Sequence, residues 1–187
     1  MCHDAGMSLL NLIKQKLGGK EPHTSETDTV RKIVQSLDQL EPARAKFVAA
    51  FAYLLSRAAR ADLHISLEET RAMERILMER GDLPEEQAVI VVQMAKTQNT
   101  LFGGTENYLV SREFNELAGH SEKMSLIDCL YAVAAASESI STIEDNEISQ
   151  IADELRIEHR DLISIRSRYR DALAVLKENP DPSSRRA

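Results

Sequence analysis

The sequence is poor in aromatic residues and contains no tryptophan, since Phe and Tyr together make up only 4% of its 187 residues. A core without large rings must be filled by Leu, Ile, Val, Ala and Met, and the hydrophobic share of 43% is ordinary for a globular protein. Such small aliphatic side chains suit the close packing of helices. The length predicts one domain with a substantial core and hardly allows two.

Positive charge is also scarce, because 30 acidic residues outnumber 23 basic ones and leave a net charge of −7. Neutralising phosphates needs clustered Lys and Arg, so this balance argues against a nucleic-acid partner. The only cysteines are Cys2, near the terminus, and Cys129, in an apolar stretch, and we predict no disulfide. No run approaches the roughly 20 apolar residues of a membrane span and no signal peptide opens the chain, so we expect a cytoplasmic protein.

Motifs that carry catalysis are missing as well. The sequence has no Gly-rich phosphate loop, no nucleophile elbow, no paired-cysteine motif and no His-Glu-x-x-His. Cys129 lies in an Ala-rich stretch and is expected to be a small core residue rather than a nucleophile. We therefore predict neither catalytic residues nor residues that bind an organic cofactor.

What the sequence does contain is apolar residues at helical spacing along most of its length, without segments that alternate with period two. This pattern predicts an all-α protein, a compact single-domain bundle of about seven to nine helices in two pseudo-repeated halves. The helix over residues 43–61 is apolar nearly all round and should lie at the centre. Glycines at positions 103 and 104 should break the chain before a helix over residues 106–118, and the last helix should cover residues 159–176.

The plan of the stretch 121–155 returns about 75 residues earlier in the chain. Each copy consists of an apolar helix, a polar corner and an amphipathic helix that begins with a capping box. In such a box a Ser caps the free amides and a Glu three residues later reaches back. The boxes are residues 66–69 and 141–144. We call residues 60–69 the first corner and residues 135–144 the second corner.

Acidic residues collect at both corners and allow two interpretations. If the corners approach each other, their oxygens suit Ca²⁺, Mg²⁺ or Mn²⁺, and His64 nearby would admit Zn²⁺. The candidate metal ligands are Asp62, Glu68, Glu69, Glu144, Asp145 and Glu147. The other interpretation is structural, because the free amides and the macrodipole favour carboxylates at helix N-termini. A calcium hand is excluded, since in each corner two of its oxygen ligands would be replaced by side chains without an oxygen.

Residues 7–17 form a short predicted amphipathic helix with apolar residues on one side. These are Leu9, Leu10, Ile13 and Leu17. The lysines in and beside this helix would allow it to anchor the chain at a membrane surface. Packing on the parent domain or on a partner fits so short a helix better. We predict an N-terminal helix and flexible linker over residues 1–27, a helical domain over 28–177 and a disordered tail over 178–187.

The two corners, ARADLHISLEE and AASESISTIEDNEISQIADEL, resemble those of the tellurite-resistance TerB-like family. The family signature there has the form Ala-Asp-Gly-x-Ile-x-x-x-Glu, and a short apolar-x-x-x-Asp link follows the second copy. Residues 157–161 match that link, and residues 108–115 resemble the segment between the family's halves. The resemblance spans roughly residues 28–176.

This resemblance implies a helical domain with two related halves, found in cytoplasmic bacterial stress or metal-response proteins that act by binding, without an established reaction. The resemblance implies that six residues of this chain correspond to the surface with which the family is proposed to bind an ion or a partner. They are Asp62, Glu69 and Glu144, and more weakly Glu68, Asp145 and Glu147. The signature glycines are Leu63 and Glu138 here, and the second Asp is Ser137, which implies a reshaped loop and a less symmetric site.

We therefore expect a non-enzymatic module, related to stress or tellurite resistance, that presents acidic corners to a divalent ion or a protein partner. Two alternatives remain open at this point. One is a metal-dependent hydrolase that uses the same corners, and the other is a membrane-peripheral adaptor tethered by residues 7–17. Association of the chain with itself is compatible with all three.

Overall fold

The computed structural model describes residues 27–35, 37 and 40–177 of the chain. This part forms α-helices and no strand, which confirms the all-α prediction. The helices are α1 (Asp28–Val34), α2 (Pro42–Ala59), α3 (Leu67–Gly81), α4 (Glu85–Leu117), α5 (His120–Ala134), α6 (Thr142–Glu154), α7 (His159–Ser167) and α8 (Ala174–Lys177), with a 3₁₀ turn at Arg170–Ala172. None of these described helices combines the length and the apolar character needed to cross a bilayer.

Several predictions made from the sequence concern residues that the structure does not describe, and others concern features that the structure does not test. The helix predicted over residues 7–17 and the tail predicted over 178–187 lie outside the described part of the chain. The domain boundaries and the relation of the two halves as repeats stay predictions.

Helix α2 lies at the centre of the bundle, as its sequence predicted. Every residue from Phe47 to Ala59 is buried, and α1, α3, α4, α5 and α6 all contact this helix. Its alanines let neighbouring backbones approach closely, while Phe47 packs against Phe114 of α4 with ring centroids 5.2 Å apart. Helix α2 therefore supplies the surface on which the other helices are arranged.

Helix α4 runs unbroken through Gly103 and Gly104, so the predicted break at these glycines is wrong. Glycine weakens a helix by about 1 kcal/mol relative to alanine, which contacts to other helices readily offset. The hydroxyl of Tyr53 on α2 donates to Asn107 Oδ1 at 2.8 Å, and Asn99 Nδ2 donates to the same oxygen at 3.2 Å. These bonds hold the turns on either side of the glycines.

The last helix is shorter than the predicted 159–176, because the chain ends α7 and then pairs with the second corner. The N–H of Ile140 donates to the carbonyl of Ala172 at 2.8 Å, and the N–H of Ala174 donates to the carbonyl of Ile140 at 2.9 Å. This bridge between Ile140 and Leu173 requires extended backbone, and Leu173 has φ −67° and ψ 119°. A continuous helix would not offer these backbone groups to a neighbour.

Candidate functional site at the two corners

Both predicted capping boxes are present. At the first corner the N–H and the hydroxyl of Ser66 each donate to Glu69 Oε2 at 2.7 Å, and the N–H of Glu69 donates to Ser66 Oγ at 3.1 Å. At the second corner the N–H and the hydroxyl of Ser141 each donate to Glu144 Oε2 at 2.8 Å. Each glutamate thus stabilises the start of its own helix.

The two capping glutamates also contact each other. The side chains of Glu69 and Glu144 lie close enough to influence each other's charge, and only 4% and 3% of these residues are exposed. The pKa of Glu144 is raised to about 7, chiefly because the carboxyl group is buried. The hydrogen bonds from Ser141 lower this pKa, and the neighbouring Glu69 raises it further. The corners therefore meet at two buried glutamates, and the raised pKa of Glu144 places the titration of its carboxyl group near neutral pH.

Two other acidic residues of α6, Asp145 and Glu147, are bound by arginines. Asp145 Oδ2 accepts from Arg166 Nη2 at 2.7 Å, and Asp145 Oδ1 accepts from Arg166 Nε and from the hydroxyl of Tyr131, each at 2.9 Å. Glu147 Oε1 accepts from Arg57 Nε at 2.6 Å. Asp145 and Glu147 thus tie α6 to α7, α5 and α2, which is a structural role.

Arg57 is the buried anchor of this arrangement, with 2% of its side chain exposed. Besides Glu147 it binds Glu154, through Nη1 at 2.6 Å and Nη2 at 3.1 Å. Burial, the largest single influence, raises the pKa of Glu154, but hydrogen bonds from Arg57, Ser111 and Gln150 together with the charge of Arg57 outweigh it, and the pKa is lowered.

From the sequence, Arg57 is expected at the negative end of the central helix with Asp62 as its partner, and the pairing with Glu147 and Glu154 was not predicted. The signal for this residue is a single arginine inside the otherwise apolar run from Phe47 to Ala59.

The first corner exposes its side chains to solvent. Asp62 and Glu68 are exposed, and Asp62 Oδ1 accepts from the N–H of His64 at 3.0 Å. Leu63 is 77% exposed and left-handed with φ 70°, and Leu67 is 57% exposed. A residue with a Cβ costs about 1–2 kcal/mol in that conformation. Strained backbone and exposed apolar side chains therefore occur beside exposed carboxylates, a combination typical of binding loops.

Of the predicted metal ligands, the contact that the structure shows is the one between Glu69 and Glu144. Asp145 and Glu147 lie in ion pairs with arginines, and Asp62 lies in the exposed loop. In the part of the chain that the structure describes, no group of three or more His, Cys, Asp or Glu side chains is placed to hold a metal ion. The donors therefore do not fit a site built from all six residues.

Cys129 is a core residue, as predicted from its surroundings. It is 1% exposed, and burial raises the pKa of its thiol to about 12. A thiol that stays protonated is a poor nucleophile. The residue thus contributes packing on α5.

A protein-family model described as "Tellurite resistance protein TerB" matches residues 48–167 of this chain. The matched range covers more than half of the 187 residues and includes both corners. No curated protein and no solved structure gives a significant match.

Proposed function

The chain belongs to the TerB family of tellurite resistance proteins, and on this premise we propose that it is a non-enzymatic module that binds a protein partner at its first corner. The observation that carries the proposal is a difference between the corners. Residues 172–174 of the chain cover the second corner, and Ile140 there is 1% exposed. The first corner has the same capping box, yet it leaves Leu63, Leu67 and two carboxylates exposed.

The segment that covers the second corner indicates the chemistry of the partner. It is extended at Leu173, forms two backbone hydrogen bonds with Ile140 and buries Leu173 to 1% exposure. Ile65 has the same position in the first corner, is only partly buried and makes no backbone hydrogen bond within the described residues. A fitting partner segment is extended, places an aliphatic side chain beside Ile65 and carries basic residues opposite Asp62 and Glu68.

The carboxylates of the corners favour binding over catalysis. Asp145 and Glu147 are neutralised by arginines, and the two capping glutamates are occupied by serine hydrogen bonds. General acid–base catalysis needs a positioned group beside a nucleophile or an oxyanion donor. The exposed Asp62 instead accepts a hydrogen bond from its own loop, which supports a role in presenting the loop.

Photo-crosslinking in cells tests the partner proposal. A photoreactive amino acid is placed at position 67 in the first corner or, as a control, at position 163, where Ile163 of α7 is 44% exposed. We expect a defined crosslinked protein from position 67 only, and its loss when Asp62→Asn and Glu68→Gln are added. Crosslinks of equal yield from both positions, or none from position 67, contradict the proposal.

A second candidate function, divalent-ion binding, is favoured by the contact between Glu69 and Glu144. An ion between the two glutamates would be held by carboxylate oxygens, which Ca²⁺, Mg²⁺ and Mn²⁺ prefer. The two helix N-termini oppose a cation at this point. Calorimetric titration with Ca²⁺, Mg²⁺, Mn²⁺ and Zn²⁺ decides the matter. Binding heat that is unchanged in the Glu69→Gln/Glu144→Gln variant excludes an ion at the corners.

A further inference from the structure

The outer face of α4, a helix that the structure describes in full, carries no charge over most of its length. Every exposed residue between Glu86 and Arg112 is uncharged, although charged residues make up 28% of the sequence. These residues are Val89, Ile90, Gln93, Thr97, Thr100, Leu101, Gly104, Thr105, Tyr108 and Leu109. The charged side chains of this stretch turn to other helices, since Lys96 donates to Thr70 of α3 and Glu106 accepts from Thr29 of α1. An uncharged outer face is typical of a surface that another segment covers.

Three large apolar side chains in the C-terminal half of α4 lie on one side of the helix. Leu101 is 64% exposed, Tyr108 is 60% exposed and Leu109 is 36% exposed. Residues seven and eight positions apart follow each other two turns along the same side of a helix. We call Leu101, Tyr108 and Leu109 the α4 stripe.

The chain enters the described fold beside this stripe. The N–H of Thr27 donates to Glu113 Oε2, and the N–H of Thr29 donates to Glu106 Oε2, each at 3.1 Å. Farther along α1, Lys32 Nζ lies 4.6 Å from the ring centroid of Phe102. Helix α1 thus runs antiparallel to α4, about a quarter turn around α4 from the stripe.

We propose that residues 7–17 of the same chain pack on the α4 stripe. Their apolar residues recur at helical spacing, and a helix of this length extends over about 16 Å, enough to cover a stripe of about 12 Å. The linker over residues 18–26 reaches about 30 Å when extended, so it does not limit the position of the segment. Both ranges lie outside the described residues.

A segment of the chain itself fits this surface better than a second copy does. A tether raises the effective concentration of the segment to about the millimolar range, at which a small apolar contact is occupied. Two whole chains, each with a net charge of −7, repel each other. The segment carries Lys14 and Lys16 and is attracted to the acidic domain.

Thiol labelling of the full chain tests the proposal. The background carries Cys2→Ser and keeps Cys129, which is 1% exposed and does not react in the folded protein. The reporter is Thr105→Cys on the outer face of α4, and its matched control is the equally conservative Ser164→Cys at an exposed position of α7. Adding Leu10→Glu/Ile13→Glu should speed labelling of the reporter by about tenfold, equivalent to about 1.4 kcal/mol, and leave the control unchanged.

Repeating the measurement over a range of protein concentrations identifies the occupant. Protection of the reporter thiol from labelling supports the proposal if it does not depend on the protein concentration. Protection that rises with concentration, together with a dimer in sedimentation, assigns the stripe to a second copy and overturns the proposal. Protection that appears only with anionic lipid vesicles, or equal labelling rates with and without Leu10→Glu/Ile13→Glu, also overturns it. Circular dichroism establishes that each variant is folded.

Discussion

The two corners have nearly identical hydrogen bonds and different surroundings. In each one the serine donates twice to the glutamate three residues later, at 2.7 Å in the first corner and 2.8 Å in the second. The second corner is then covered by Leu173, and its helix is held by Arg57 and Arg166. The first corner leaves Leu63 77% exposed. A capping box thus determines where a helix begins, whereas distant residues decide whether the corner is structural or an exposed surface.

The backbones of the corners differ at the position of the signature glycine. Leu63 has a positive φ of 70°. Glu138, at the corresponding position of the second corner, does not have a positive φ. The first corner thus keeps a conformation that glycine adopts without strain, and the second corner has lost it. The reshaped loop implied by the loss of glycine therefore occurs in the second corner alone.

Removing the anchor of the second corner should have the largest effect. Arg57→Ala leaves Glu147 and Glu154 without their partner, and we expect the free energy of unfolding to fall by about 3–5 kcal/mol. Urea unfolding followed by circular dichroism measures it. The control Arg60→Ala, at the end of the same helix, should change stability by no more than about 0.5 kcal/mol. Similar losses for both variants would mean that Arg57 does not hold α6.

The next largest effect concerns the isoleucine of each corner. Ile140 is 1% exposed beneath the C-terminal segment, so Ile140→Ala should lower the free energy of unfolding by about 2–5 kcal/mol. Ile65 is only partly buried, and Ile65→Ala should cost less than half as much. Equal losses, measured by the same urea unfolding, would contradict the difference in cover between the two corners.

The raised pKa of Glu144 predicts a dependence of stability on pH. The pKa of Glu144 is raised from 4.5 to about 7 in the folded protein, so between these values the folded state binds more protons than the unfolded state. The free energy of unfolding should therefore fall as the pH rises from about 4.5 to about 7, by at most about 1.4 kcal/mol per pH unit.

Comparing variants isolates this contribution from that of other titrating groups. Glu144→Gln should flatten the pH profile of the unfolding free energy, while Glu68→Gln, at an exposed carboxylate of the first corner, should retain the slope of the unaltered protein. Parallel profiles for Glu144→Gln and the unaltered protein would show that folding does not raise the pKa of Glu144.

The smallest effect should come from the strained loop. Leu63→Gly removes the Cβ from a residue with φ 70° and should raise the free energy of unfolding by about 1 kcal/mol. Glu138→Gly, at the corresponding position, relieves no such strain and should not stabilise the protein. Thermal unfolding of the two variants compares them directly, and a gain at both positions would contradict the different backbones of the corners.

Predictions were confirmed where neighbouring residues settle the structure, and they were wrong where contacts with distant residues override the local pattern. The boxes at Ser66 and Ser141 were predicted because a cap involves residues within one turn. The break at Gly103 was wrong, because contacts between Asn107 and Tyr53 hold the helix across it. Glu147 and Glu154, the acidic partners of Arg57, lie on α6, 90 and 97 residues away in the sequence, and no local pattern indicates them.

The sequence by itself determined the helical class, the central helix and the start of each corner helix, because spacing and capping act within a few residues. Only the tertiary structure decided that Glu69 and Glu144 meet in a buried contact, and that Leu173 covers one of two similar corners. Burial and the field of distant charges arise only when the helices pack. Two stretches with the same local pattern therefore have a closed and an open surface in one molecule.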